Sequence, residues 1–254
     1  MAINEVFPNP TVKKVIFQIR FPALFAMESL VGDLQVKIMD RFPDSRLLQQ
    51  TQIVLTEIGP EGIIEQIPQE HRPGAVRKIW RFQSESGTVL NVLTDSLDLT
   101  SEVHKTYNNP DAHECFRDAI RLAVDNFLEV TRIPNLTRIG LRYIDDCPVP
   151  EGEDAVFSQW YNTTFPLDRF SIHDAVELLF AARVRRGEHF VYFRELLTKK
   201  EDKSSLTLDF DGYAENVKAA DYLTVTDRLH EIVAAEYEAS IKEPVYRHMR
   251  KAKQ

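Results

Sequence analysis

The chain has 254 residues, of which 43% are hydrophobic and 28% are charged. This composition is typical of a folded globular protein and excludes wholesale disorder, and no run reaches the ~18 apolar residues that a membrane-spanning helix needs. The net charge of −8, from 39 acidic and 31 basic residues, disfavours nucleic acid as a partner, because phosphates would meet an unfavourable overall field.

Cysteine usage and the amino end indicate the compartment. Cys115 and Cys147 form neither a CxxC pair nor the dense framework of a secreted disulfide protein. The amino end has no signal-peptide pattern. We therefore predict a soluble, cytoplasmic protein that makes no membrane contact.

The first half of the chain predicts a strand, a helix, several antiparallel strands and a second helix. In residues 12–21 Val15, Phe17 and Ile19 alternate with polar residues, as on a strand with one buried face. Residues 111–131 carry apolar side chains at helical spacing. The remaining predictions are a helix over 23–42, strands near 48–58, 76–84, 88–94 and 96–103, and a long loop over 59–74.

The second half repeats this order. We predict a strand over 136–145, a short helix over 153–164, strands over 175–185, 188–197 and 205–212, and a helix over 219–243 that Pro244 interrupts or kinks. The basic tail after this helix is expected to fray. Three sequence echoes recur in the same order in both halves: Ile19-Arg20-Phe21 with Leu141-Arg142-Tyr143, Phe42-Pro43 with Phe165-Pro166, and His113-Glu114 with His230-Glu231.

These echoes predict an internal duplication. The expected fold is α+β: a duplicated strand-helix-antiparallel sheet-helix unit, with its helices on one face of a curved, saddle-like sheet. The two copies would be residues 1–133 and 134–254, joined as one compact unit. The face opposite the helices would then be available for contact.

Four segments carry a resemblance to a known family: NPTVKKVIFQIRFP, WRFQSESGTVLNVLTDSLDLTS, GLRYID and LHEIVAAEYEASIKEPVYRHM. Together they resemble a sporadically distributed bacterial family of proteins of about this length and of unknown function. The resemblance spans nearly the whole chain and implies one coherent unit. A sporadic distribution implies mobile or defence-associated genes, with an antitoxin-like or accessory role. No catalytic residue can be carried over from this family.

The candidate binding residues are mostly arginines. Arg20 and Arg142 follow equivalent strands in the proposed repeat, and two guanidinium groups can clamp a carboxylate or phosphate, although each can instead pair with a local carboxylate. A second group lies on two strands that form a predicted hairpin, where it can grip an anion or stack a base, or simply form a balanced charged face. Its members are Arg183, Arg185, Arg186, Tyr192 and Arg194.

Signatures of catalysis are missing from the sequence. It has no HExxH, no GxSxG and no Gly-rich phosphate loop, and neither cysteine has a histidine placed to activate it. Asp145-Asp146 and Asp209-Phe210-Asp211 are weak candidates for a cation site, since such acids are common without metal. We predict no catalytic residue, no cofactor and no metal.

The sequence therefore favours a non-enzymatic binding or interaction protein that holds a protein partner or a second copy of itself. Two alternatives stay open. One is a nucleic-acid-binding protein that uses the arginine-rich hairpin. The other is a sensor or enzyme for a small anionic ligand, with Arg20 and Arg142 at its site.

Overall fold

A computed structural model describes residues 6–51, 76–109, 115–200 and 203–251. Within these ranges, nine strands form one antiparallel sheet, in the order β2-β3-β4-β5-β1-β6-β9-β8-β7. The strands are β1 (Val12–Arg20), β2 (Asp44–Thr51), β3 (Val76–Gln83), β4 (Val89–Val92), β5 (Ser96–Ser101), β6 (Asn135–Cys147), β7 (Glu177–Arg186), β8 (His189–Lys200) and β9 (Lys203–Lys218).

Five α-helices accompany the sheet in the described part of the chain. They are α1 (Met27–Ile38), α2 (Phe116–Thr131), α3 (Asp154–Trp160), α4 (Tyr222–Ser240) and α5 (Glu243–Arg250). The predicted α+β class with a large antiparallel sheet is thus confirmed, and every element predicted within the described residues is present.

Strands β1 and β6 lie side by side at the middle of the sheet. They run antiparallel with Gln18 opposite Gly140 and Arg20 opposite Arg138. The alternation predicted for β1 is observed, since Val15, Phe17 and Ile19 are buried. These inward side chains pack with residues of α1 and α2, so the helices cover this face of the sheet. The other face, which carries Gln18 and Arg20, is called the open face below.

The core consists of two clusters on the helix-covered face. One joins β1, β4, β5 and β6 to α1 and α2. The other joins β8 and β9 to α3, α5 and the carboxyl-terminal part of α4. Tyr143 on β6 packs against both clusters. The boundary between the two clusters therefore passes through the middle of β6.

The end of the chain differs from its prediction. Helix α4 stops at Ser240, and Ile241 is extended and forms an isolated bridge with Tyr161. A separate helix, α5, then begins at Glu243 with Pro244 in its first turn, because proline is well accommodated where no helical N–H is needed. The expected fraying is wrong for this helix, since its residues Val245 and Met249 are buried in the second core cluster.

Several element ends also shift. The helix predicted over 23–42 occupies only Met27–Ile38, and the strand predicted over 205–212 extends over Lys203–Lys218. Part of the strand predicted near 48–58, the loop over 59–74 and the first residues of the helix over 111–131, with His113, lie outside the described residues.

Candidate functional site

A cavity of about 350 Å³ opens where the two core clusters meet, and we call it the seam cavity. Strand β6 and helix α4 form its inner walls, and the segments before β1 and after β5 complete it. Its apolar lining includes Phe7, Val12, Val233, Ala234 and Met249. Its polar lining includes Thr11, Tyr107, Tyr143, Asp145, His230 and Tyr237.

The alternation of β6 explains how a carboxylate reaches this cavity. Odd-numbered residues of β6 point to the helix-covered face, and Ile139, Leu141 and Cys147 are buried there. Because side chains on a strand alternate between faces, Tyr143 and Asp145 point the same way. They meet α4 where the core changes from one cluster to the other. A titratable residue therefore stands at an inward position of a central strand.

Asp145 is the most unusual group in the seam cavity. Its side chain is buried, with the residue only 5% exposed, and Thr11 Oγ1 donates a 2.9 Å hydrogen bond to Oδ1. No described residue donates a hydrogen bond to the other oxygen, Oδ2. Burial raises the pKa of Asp145 to about 7, against the opposing effect of the Thr11 hydrogen bond. Near neutral pH this carboxyl is therefore poised between its acid and its anion.

Tyr237 extends the hydrogen-bonded chain. Its hydroxyl lies 2.5 Å from Thr11 Oγ1, and since Thr11 donates its only proton to Asp145, Tyr237 must donate to Thr11. Burial raises the pKa of Tyr237 well above its ordinary value, so the phenol keeps its proton. The chain Tyr237–Thr11–Asp145 therefore stabilises negative charge on Oδ1 and leaves Oδ2 to a ligand or to water.

His230 forms the opposite wall of the seam cavity. Its ring stacks on Tyr107, with centroids 4.2 Å apart, and its Nδ1 lies 3.2 Å from the Tyr143 hydroxyl. Burial lowers the pKa of His230 to about 4, so the imidazole is neutral at pH 7. Burial also raises the pKa of Tyr143, so its phenol keeps its proton beside the neutral imidazole.

An ion pair outside the cavity fixes Tyr107. Arg117 on α2 donates two hydrogen bonds, of 2.7 and 2.8 Å, to Asp227 on α4. The Tyr107 hydroxyl donates a third, of 2.7 Å, to the same carboxylate. Burial acts to raise the pKa of Asp227, but these hydrogen bonds outweigh it and the pKa is lowered. The ionised Asp227 thus ties α2, α4 and the ring that stacks on His230 into one wall.

At pH 7 the seam cavity combines aromatic walls with one carboxyl that can ionise. It holds a neutral imidazole and protonated phenols, and the positive charge of the exposed Lys105 acts to lower the pKa of Asp145, but burial outweighs this effect. Lys105 lines the cavity too, and its amine donates to the backbone oxygens of Val12 and Glu102. The arrangement suits a flat ligand that brings its own N–H donors to Oδ2.

Arg20 and Arg142 both lie on the open face, but they do not form a clamp. Arg20 is opposite Arg138, whereas Arg142 is opposite Ile16. Because Ile16 and Arg20 are four residues apart on β1, Arg20 and Arg142 are about 13 Å apart along the strands. Arg142 donates hydrogen bonds of 2.7 and 2.6 Å to Asp209, so its guanidinium is paired within the protein. Arg20 is exposed and donates to Gln18 at 2.9 Å.

The arginine-rich hairpin is observed as β7 and β8, and its members point to both faces of the sheet. Arg183 lies 4.8 Å over the Phe190 ring and 3.6 Å from Glu215 on the open face. Arg194 lies on the same face, 5.4 Å over Tyr192 and 3.7 Å from Asp209. Arg186 instead pairs with Glu236 on α4, and Arg185 donates to the Gly187 carbonyl. Neighbouring acids therefore balance much of this positive charge.

Sequence reasoning missed the seam cavity. Asp145 was considered only with Asp146 as a weak cation candidate, and His230 only as part of a repeat. One signal was present, because Asp145 continues the inward alternation of Ile139, Leu141 and Tyr143, and an acid at such a position is unusual in a core strand. The loop after β5 and the segment before β1, which close the cavity, carry no such pattern.

Three further observations bear on the chemistry. Among the described residues no group of three or more His, Cys, Asp or Glu side chains is placed to hold a metal ion. Both cysteines are free and buried, and burial raises the pKa of the Cys147 thiol well above its ordinary value. No described helix is long and apolar enough to cross a membrane.

The chain matches no protein-family model, no curated protein and no solved structure.

Proposed function

We propose that the protein is a non-enzymatic binding protein that holds a small aromatic nitrogen base in the seam cavity. The observation that carries this proposal is Asp145: a buried carboxyl, hydrogen-bonded on one oxygen only, in a cavity walled by aromatic rings. A buried charge normally requires a partner. A ligand N–H group, as in an amidine, an amine or a protonated heterocycle, supplies that partner.

The size of the cavity limits the ligand. A volume of about 350 Å³ is near the lower end for small-molecule sites, which run from about 300 to 1,000 Å³. At the packing density of protein interiors, this space takes roughly ten to fifteen non-hydrogen atoms. One or two fused rings with a nitrogen substituent fit this limit, whereas a nucleotide with its phosphates exceeds it.

The charges select a cation or a neutral donor over an anion. Asp145 would repel a carboxylate or phosphate, the neutral His230 offers no positive charge to hold one, and the charge of Lys105 already acts on Asp145. The rings of Tyr107, Tyr143 and Tyr237 present faces and edges that favour flat cationic groups. The small-ligand alternative is thus retained, but with a nitrogen base in place of an anion and with the seam cavity in place of Arg20 and Arg142.

Binding is favoured over catalysis because the cavity offers no activated nucleophile among its described residues. Cys147 is buried on the same strand, but its raised pKa keeps the thiol protonated. Nucleic-acid binding by the hairpin is disfavoured, since Asp209, Glu215 and Glu236 pair with its arginines. An accessory or antitoxin-like role in a mobile or defence-associated system stays a prediction from the resemblance alone.

We infer further that the scaffold arose by duplication of residues 1–133 and 134–254, giving a saddle-like sheet. The strand order supports this, because β5 and β9 flank the central pair β1 and β6 in equivalent places. The register supports it too: Arg20 and Arg142 each lie two residues beyond the facing pair Gln18 and Gly140. In this interpretation the seam cavity lies between two related cores.

Thermal unfolding with matched ligands and matched variants tests the binding proposal. Benzamidine, a flat cation with N–H donors, is expected to raise the melting temperature, whereas benzoate, the same ring with a carboxylate, is not. Ala234→Leu fills the cavity from α4 and should abolish the effect, while Ala235→Leu, the same change at an exposed neighbouring position, should retain it. Equal effects of both ligands, or no effect of benzamidine and related amines, would refute the proposal.

A further inference from the structure

The edge strand β7 carries a second feature, independent of the seam cavity. Of the strands that the structure describes, β7 is the last in the sheet and pairs only with β8. The pairing runs without a shift from Glu177 opposite Thr198 to Arg186 opposite His189. These ten residues contain no proline and no bulge, and no backbone hydrogen bond from another described residue reaches their outer edge.

Natural sheets normally protect such an edge with proline, bulges, short strands or charges. Strand β7 does carry charges at its ends, namely Glu177, Arg183, Arg185 and Arg186. Three exposed apolar side chains also accompany it: Val176 is 74% exposed, Leu179 is 58% exposed and Phe180 is 37% exposed. Because side chains alternate along a strand, Leu179 and Phe180 point to opposite faces of the sheet. The edge therefore exposes apolar surface on both faces, as interaction sites do. The outward backbone groups would supply the hydrogen bonds, as in recognition by strand addition.

The sequence of β7 complements itself when two copies run antiparallel. We propose that two chains pair along β7, with Ala181 facing Ala181 of the second copy on the two-fold axis. Residues whose numbers sum to 362 then face each other, so Glu177 faces Arg185, Leu178 faces Val184, Phe180 faces Ala182 and Leu179 faces Arg183. The first three pairs join opposite charges or apolar side chains, which stabilise facing positions of antiparallel strands, and the fourth sets an apolar side chain against an arginine.

The charges of β7 also exclude the competing arrangement. Glu177 lies at one end of the strand, and Arg183, Arg185 and Arg186 lie at the other. A parallel, in-register pair would set arginine against arginine, whereas the antiparallel pair sets Glu177 against Arg185 twice. The antiparallel pair joins two nine-stranded sheets into one and removes both β7 edges.

Charge-swap variants test this dimer. In light scattering after size exclusion, the wild-type chain is expected to run as a dimer at about 100 µM. Glu177→Arg alone and Arg185→Glu alone should each raise the dimer dissociation constant by about tenfold. The two substitutions combined in one chain should restore the dimer, as should mixing the two single variants. Far-ultraviolet circular dichroism spectra that match the wild type confirm that each variant is folded.

Cysteine cross-linking tests the register. Ala181→Cys places two thiols at facing positions, within the Cα separation of about 4.4–6.8 Å that a disulfide requires, and should give a covalent dimer on oxidation. Leu179→Cys is the matched control, because its two copies would be about 13 Å apart. The proposal would be overturned if the wild-type chain stays monomeric, if the charge-swap substitutions have no effect, or if the two cysteine variants cross-link equally.

Discussion

Thr11 and Asp145 are joined by a 2.9 Å hydrogen bond although 134 residues separate them in the chain. The bond ties the segment that precedes β1 to the middle of β6 and fixes one oxygen of a buried carboxyl. Its other oxygen has no donor among the described residues. This asymmetry is the basis of the proposed ligand site.

Asp145→Asn should change how stability depends on pH. Because burial raises the pKa of Asp145 to about 7, the folded protein binds its proton more tightly than the unfolded chain does. Wild-type stability therefore falls as pH rises from about 4 to about 7. The variant should match wild type near pH 4 and exceed it by about 2–4 kcal/mol at pH 8. Urea unfolding across this range measures the difference.

The matched control is Asp146→Asn, which changes the exposed acid beside Asp145. It should keep the pH dependence of the wild type. If the curves for Asp145→Asn and wild type run parallel, Asp145 does not titrate in a buried site.

His230→Gln should have the opposite effect at acid pH. Burial lowers the pKa of His230 to about 4, so the unfolded chain binds this proton more tightly. Wild-type stability is therefore lost as pH falls from about 6.5 to about 4. Over this fall in pH, the free energy of unfolding of the variant should rise by about 2–3 kcal/mol relative to that of the wild type. The exposed His173→Gln serves as control, and an equal gain in both variants would place His230 outside the core.

Arg142→Met should destabilise the protein far more than Arg20→Met. The first substitution removes two hydrogen bonds from Asp209, whose side chain is only 6% exposed, and leaves a buried charge poorly paired, at a cost of about 2 kcal/mol or more. Arg20 is exposed and contacts Gln18, so its loss should change the free energy of unfolding by about 0.5 kcal/mol or less. Equal losses would show that the two arginines are structurally equivalent.

Gly212→Ala should be destabilising through one contact. A Cβ at this position would lie 2.8 Å from Val233 Cγ2 on α4, and such overpacking costs about 1–3 kcal/mol. Adding Val233→Ala removes the clash, so the double variant should be more stable than the sum of the single effects predicts. Strict additivity in urea unfolding would contradict this packing.

The sequence predicted the architecture better than the site. The alternation of apolar residues in β1 and their helical spacing in α2 each indicate which face is buried. The elements and their order could therefore be predicted from local sequence pattern. The strand order and the position of β7 at an edge depend on pairing between distant segments. They could not be predicted from periodicity alone.

The candidate site was missed for a related reason. Arg20 and Arg142 attract attention in the sequence, but the structure places Asp209 beside Arg142. Asp145 and His230 acquire their shifted pKa values only when β6, α4 and the segment around Thr11 come together. Burial and distant hydrogen bonds produce these shifts, and neither is visible in local sequence.

The affinity of benzamidine at pH 6 and pH 8, measured by calorimetry, tests the central claim most directly. With a pKa of about 7 for Asp145, the ionised fraction rises from about a tenth to about nine tenths over this range. The wild-type protein should therefore bind about tenfold more tightly at pH 8, and Asp145→Asn should bind weakly at both pH values. Equal affinity at the two pH values, or in the two proteins, would contradict a ligand site built on Asp145.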